Sequence, residues 1–187
     1  MNFPSAPLSE VATIERAGID PRDIQPGTRY VGLEHIDSAG TVQCVTVANG
    51  ELSSTKFSFT PQHILFGKLR PYLRKVARPN FEGICSTDII PIRPNGKIDR
   101  GYLFYFLRQD EVIDKAASLA TGVNLPRISP GLLETFEILL PPLSEQRRIA
   151  AILDQADDLR RTRRKVVGRT ELLIGSLFVE MFGEPLT

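Results

Sequence analysis

The chain predicts an α+β fold: a head over residues 1–143 built on a curved, mostly antiparallel sheet, then one long C-terminal coiled-coil helix over residues 144–187. Three observations predict it. Between Arg29 and Ile92, short apolar runs alternate with Gly, Pro and Asn-Gly turn formers, the pattern of strands too brief to be helices. No proline occurs between Pro142 and Pro185, so nothing there interrupts a helical backbone. Within that run Ile149, Ile152, Ala156, Leu159, Arg163, Val166, Thr170, Leu173 and Leu177 recur at alternating steps of three and four. That period near 3.5 lines them along one seam.

Taken in order, Met1 to Leu8 is a lead, Ser9 to Arg16 a short helix, and Ile24 to Thr28, with Pro26 and Gly27, a turn. Arg29 to Ile36 and Thr41 to Val47 read as strands separated at Gly40, and Asn49-Gly50 supplies hairpin chemistry before a third strand from Ser53 to Phe59. His63 to Phe66, Tyr72 to Ala77 and Ile84 to Ile92 are three further apolar runs, divided by Gly67, Pro71, Pro79 and Gly83. Asp99 caps a helix whose apolar face holds Tyr102, Leu103, Phe106 and Leu107 and which runs on to Leu119. Ala120 to Pro130 is a loop, Leu132 to Leu140 a last strand, and Pro141-Pro142 stiffens the junction to the long helix. Ser144 is its expected N-cap, with Glu145 complementing the positive end of the helix dipole.

From Ser144 to Phe182 that helix runs roughly 58 Å. A lone helix in water is marginal, so its apolar stripe needs a partner. The partner is a second copy of the chain or a helix of another protein; the plainer alternative folds the helix back on its own head. Arg163 and Thr170 interrupt the seam near its middle and help to set register.

Net charge is +1 over 187 residues, so overall composition does not announce an anionic partner. The local distribution is more informative. Lys68, Arg70, Arg74, Lys75 and Arg78 fall in one acid-free segment around Tyr72, and Arg160, Arg161, Arg163, Arg164 and Lys165 fall in another. Cys44 and Cys85 lack CxxC spacing and read as buried free thiols, suiting a reducing cytoplasm. The N-terminus has no basic start with an apolar core, and no stretch has the length of a membrane span. A cytoplasmic protein with no membrane partner is expected.

No enzymatic motif emerges. There is no GxxxxGK[ST] or GxGxxG loop, no histidine cluster, and no Asp-to-Glu-x-Lys spacing to hold a divalent ion. His35 and His63 stand in apolar, strand-like contexts and read as satisfied structural histidines. Asn124-Leu125-Pro126-Arg127 is not the Asn-Pro-Pro-aromatic site of a base methyltransferase. No cofactor, metal or catalytic residue is therefore expected, and a binding role is.

Cations on turns beside an aromatic ring suit phosphate contact and groove insertion, although a strand edge protected by lysine and arginine has the same composition. Ser86, Thr87 and Asp88 offer donors and acceptors for base edges, and Gly122, Asn124 and Arg127 form a second polar loop.

The run LPPLSEQRRIAAILDQAD resembles the junction motif of type I restriction-modification specificity subunits, in which a proline pair, a Glu-Gln and an Ile-Ala-x-x-Leu-Asp lead into a spacer helix. Upstream, YVGLEHID, ILFGKLRPYLRKVA with GICSTDIIPIRP, and ATGVNLPRIS are similar to the family's target recognition domain in the same order. The resemblance implies a non-catalytic subunit that chooses the double-stranded DNA at which DNA adenine methyltransferase subunits, and a restriction or translocase subunit where one is present, act. It puts Lys68, Arg70, Tyr72, Arg74, Lys75, Arg78, Ser86, Thr87, Asp88, Asn124 and Arg127 on the DNA-facing side, and matches Glu145 and Gln146 to an acid-amide pair with no catalytic role. Full-length members carry two recognition domains and two antiparallel spacer helices. This chain has one of each and reads as a half-subunit or a fragment. A half-subunit implies an antiparallel homodimer on an interrupted palindrome. The rival is a helical scaffold or inhibitory half-subunit that binds the methyltransferase without reading DNA.

Overall fold

The structure, a computed structural model, describes residues 3–48 and 52–183. The chain divides into two compact units, Met1–Arg147 and Arg148–Thr187. In the first, β1 (Ser5–Pro7), α1 (Leu8–Val11), β2 (Ala12–Ile14), β3 (Gly18–Ile19), β4 (Arg29–Val31), β5 (Val45–Thr46), β6 (Lys56–Phe59), β7 (Ile64–Gly67), β8 (Val76–Ala77), β9 (Gly83–Cys85) and β10 (Ile89–Pro94) precede α2 (Arg100–Phe106). Then follow α3 (Asp110–Ser118), α4 (Pro130–Glu134), β11 (Glu137–Leu139) and α5 (Leu143–Phe182), whose first turn belongs to this unit.

The curved sheet expected from the sequence is not what forms, although the pairing is mostly antiparallel. Among the described residues the strands divide into three open sheets with orders β1-β11, β2-β10-β7-β8 and β3-β6-β9-β4-β5, none of which closes on itself. The largest is mixed, because β4 pairs parallel with β9, Tyr30 opposite Ile84 and Val31 opposite Cys85.

Side-chain alternation explains the layering. Ile64, Phe66, Val76, Ile90 and Ile92 enter one apolar core with Leu103, Phe104, Ile113, Leu133 and Phe136 of the helical side. Their strand neighbours Leu65, Ala77 and Ile89 point the other way and join Val31, Phe59 and Cys85 of the five-stranded sheet in a second core. A strand buried on both faces has no polar side to alternate with. Such strands, read as continuous apolar runs, require a layer above and a layer below, which one curved sheet does not provide.

Several elements differ locally from expectation. Helix α1 ends at Val11 because Ala12–Ile14 is taken up by antiparallel pairing with β10, an instance of tertiary contacts overriding local propensity. The strand expected to reach Ile36 stops at Val31, and Leu33–His35 forms a 3-10 turn. The helix capped by the Asp99 carboxylate on the Tyr102 N–H breaks after Phe106 and restarts at Asp110. Leu132 to Leu140 holds the end of α4, capped by Ser129, and then β11. Helix α5 starts at Leu143, one residue before the proposed Ser144 cap, and the Pro142 carbonyl accepts from the Glu145 and Gln146 N–H groups at 2.9 and 3.0 Å. Asn49-Gly50 lies outside the described residues.

Cys85 is buried, which raises its thiol pKa to about 12, whereas Cys44 is exposed, contrary to expectation. His63 is buried with Nδ1 accepting from the Thr60 N–H at 3.0 Å and Nε2 lying 2.9 Å from Glu15 Oε2. No helix among the described residues is long and apolar enough to cross a membrane.

Candidate nucleic-acid interface

Residues 68–75, Lys-Leu-Arg-Pro-Tyr-Leu-Arg-Lys, connect β7 to β8. Pro71 starts a 3-10 turn over Pro71–Leu73, flanked by Arg70 at φ 49° and Arg74 at φ 56°. Left-handed backbone is unfavourable for a residue with a Cβ, so the surroundings must hold both arginines. For Arg70 they do: its N–H donates to the Pro126 carbonyl at 2.8 Å and its Nη2 to the Asn124 carbonyl at 3.2 Å. Arg74 reaches Asp110 in the first turn of α3.

The turn Ser86-Thr87-Asp88 joins β9 to β10. Ser86 Oγ accepts from the Asp88 N–H at 3.2 Å, and the Asp88 carbonyl accepts from the Lys68 N–H at 2.9 Å. The Asp88 carboxylate receives Arg127 in a two-pronged pair, Nε to Oδ1 at 2.8 Å and Nη2 to Oδ2 at 3.0 Å, with Lys68 Nζ 4.0 Å away. Those Arg127 hydrogen bonds hold the Asp88 carboxyl below the usual carboxylate range against partial burial, and they raise the Arg127 guanidinium in return.

The third stretch is the 121–127 loop. Thr121 and Arg127 exchange main-chain hydrogen bonds at 3.0 and 2.9 Å, and Arg127 also bridges to Leu69. Gly122 sits at φ +116°, where a Cβ would lie 2.9 Å from the Leu125 carbonyl oxygen. Only glycine fits so tight a reversal.

The three polar stretches, far apart in sequence, therefore share one surface. Arg70, Tyr72 and Asn124 are exposed there, and Lys68, Ser86, Thr87, Asp88 and Arg127 are half-buried. Two of the cations turn elsewhere: the Lys75 ammonium donates to the Ile36 carbonyl, and the Arg78 guanidinium lies 5.1 Å from the centre of the Phe104 ring. Leu73, Val123 and Leu125 are exposed on the same two loops, and Val123 is 102% exposed. The sequence carried a signal for Val123, a β-branched residue between the turn formers Gly122 and Asn124, that pattern reading passed over.

In α5, Ile149 and Ala156 are half-buried, while Ile152, Leu159, Arg163, Val166, Thr170, Leu173 and Leu177 are exposed. Thr170 Oγ1 donates to the Val166 carbonyl at 3.0 Å, so its hydroxyl is satisfied within the helix. Gln146 is buried in the first turn. Its Oε1 accepts from the Asp99 N–H at 2.8 Å, and its Nε2 donates to the Pro141 and Lys97 carbonyls at 2.9 and 3.3 Å. Among the described residues no cluster of three or more His, Cys, Asp or Glu is placed to hold a metal ion.

Comparison with known proteins is consistent in one direction. The chain is 31% identical over 188 residues to the specificity subunit of the Escherichia coli type I restriction enzyme EcoDI, covering 96% of this chain and 41% of that protein. It is 38% identical over 79 residues to the MjaVIII specificity subunit of Methanocaldococcus jannaschii, covering 42% of this chain and 18% of that one. Among solved structures, the HsdS subunit from Thermoanaerobacter tengcongensis superposes with a TM-score of 0.71 at 28% identity, over 99% of this chain and 50% of that chain. The chain thus spans about half, or less, of the length of these relatives. Residues 7–168 match the model of the type I restriction modification DNA specificity domain, and the chain belongs to that family of non-catalytic specificity subunits.

Proposed function

We propose that the chain is the sequence-reading subunit of a type I restriction-modification complex, directing adenine methylation by partner subunits, and restriction where a restriction subunit is present, to a bipartite DNA site. Residues 1–143 are then the recognition domain, and the segment from 144 to 187, which contains most of α5, is the spacer and dimerisation segment. The observation that carries the reading is the convergence of Lys68, Arg70, Tyr72, Ser86, Thr87, Asn124 and the Asp88–Arg127 pair on one surface. Cations fix register on phosphates, and polar side chains read base edges. Arg127 and Asp88 neutralise each other, so their part is to hold the two loops together; Arg74 is likewise paired with Asp110, and Lys68 and Arg70 supply the phosphate contacts.

The exposed stripe Ile152, Leu159, Val166 and Leu177 supports an antiparallel homodimer through α5. Two heads related by a two-fold axis read the same short sequence on opposite strands, so the target is an interrupted palindrome whose gap the helix length sets. Selection of bound duplexes from a random pool, with the chain reconstituted with its methyltransferase, tests the reading. An enriched interrupted palindrome is expected. No enrichment, with the methyltransferase still bound, replaces it with a helical scaffold or inhibitor.

A further inference from the structure

Val123 occupies an unusual place for an aliphatic side chain. It is fully exposed at the tip of the 121–127 loop, and that loop has no freedom to tuck it away. Its base is closed by the paired Thr121 and Arg127 main chains, its far limb is tied to Arg70 through the Pro126 carbonyl, and its Asn124 carbonyl holds the Arg70 guanidinium. Asp88 grips it from below through both prongs of Arg127. A rigid mount, cations alongside and an apolar tip are therefore combined in one loop.

An exposed apolar group gains nothing from water and gains by meeting apolar surface on a partner. On the base edges of duplex DNA, the apolar group that carries sequence information is the thymine C5-methyl in the major groove. Wedges that enter the base stack use longer or ring side chains such as Phe, Leu, Ile, Met and Pro, whereas the two methyl groups of valine stand one carbon from Cα. Asn124, next along the loop, has an amide able to pair with an adenine edge.

Resting on the DNA-reading role above, we infer that Val123 is a specificity-determining residue that contacts the methyl group of one thymine in each half-site. The test uses the full chain and the duplex obtained by selection, with each thymine in turn replaced by deoxyuridine. One replacement per half-site weakens the wild type about fourfold, the worth of one buried methyl group. Val123→Ala is indifferent to that replacement, and Val123→Thr, which keeps one methyl group, retains the preference. Val123 is fully exposed, so neither variant disturbs folding. The assignment is overturned if no replacement affects the wild type, if Val123→Ala loses as much as the wild type, or if the selected site contains no thymine. Bright 2-aminopurine beside the site marks an unstacking wedge and overturns it too. If selection enriches no sequence at all, the DNA-reading role has failed first, a result seen before any uracil is introduced.

Discussion

Two stretches each carry five cations and no acid, one between Phe66 and Pro79 and one between Arg160 and Lys165, and they are built in opposite ways. In the first the backbone is irregular, with Arg70 and Arg74 left-handed around a 3-10 turn, and the cations are sorted. Arg74 goes to Asp110, Lys75 to a carbonyl, Arg78 to an aromatic face, while Lys68 and Arg70 stay by the 121–127 loop. In the second the backbone is a regular helix. There Arg160 and Arg164, and Arg161 and Lys165, stand four residues apart as like-charge pairs, which cost rather than gain. Asp157 meets Arg160 at 3.6 Å. Charge counted along a sequence is thus a poor guide to its use. In the head, tertiary contacts decide which cations face outward; in the helix, the regular backbone spacing decides it, and Asp157 offsets part of the repulsion.

The largest effect that would break this contrast is expected at the helix. Leu159→Asp with Val166→Asp places charges in the proposed seam and shifts the chain to monomer by sedimentation. Affinity for the palindromic site then falls about 100-fold or more, because the second head no longer binds as part of the same molecule. A wild type that sediments as a monomer without partners would sink the proposed dimer.

Next is Arg70→Ala, expected to weaken binding to all duplexes about tenfold at moderate salt and to make the log-log salt slope shallower by about 0.9. Five phosphate contacts per protomer would give a slope of about −4.5; with Arg74 paired with Asp110 and Lys75 and Arg78 held internally, Lys68 and Arg70 give about −1.8. Arg70→Gly separates charge from strain, since it loses the same contact while thermal stability stays within about 1 kcal/mol. Unaltered affinity in both variants would take this loop out of the interface.

Asp88→Asn is smaller, about 1 kcal/mol of stability for a partly solvated ion pair after allowing for screening. Its pH dependence has a definite sign. Asp88 has a lowered pKa in the folded state, so its contribution is present above the ordinary carboxylate value near 3.9 and is lost as pH falls through the folded value. Acid titration of stability should therefore be shallower in the variant below about pH 4. Smallest is Arg161→Ala with Lys165→Ala, expected to change the salt slope by less than about 0.5. A change near 2 would show the helix cations on phosphate as well.

Much of this arrangement was legible from residue order, and what was not has identifiable causes. The Asp99 cap, the apolar runs that became β7 and β10, and the proline-free C-terminal helix are local signals, written in spacing and capping. The three separate sheets are not local. Strands of two or three residues, such as β3, β5 and β8, are too short to display a period, and the parallel pairing of β4 with β9 unites segments more than 50 residues apart. At the candidate interface, the polar stretches could be picked out by composition, but their meeting point rests on long-range contacts such as the Leu69–Arg127 bridge and the Asp88–Arg127 pair. The division of labour among the cations depends on Asp110, Ile36 and Phe104, which lie in other parts of the chain.

The fastening of the 121–127 loop is carried by its ends and by main-chain carbonyls: Thr121, Gly122, Pro126 and Arg127 make the bridges and the reversal, the Asn124 and Leu125 carbonyls accept from Arg70 and Arg127, and positions 123 to 125 are exposed. The loop therefore works like a socket with interchangeable bits. Substitution at the three tip positions alters what is presented while the mount endures, so under the proposed DNA-reading role new targets are accessible to an evolving lineage, or to a protein engineer, without a toll on folding.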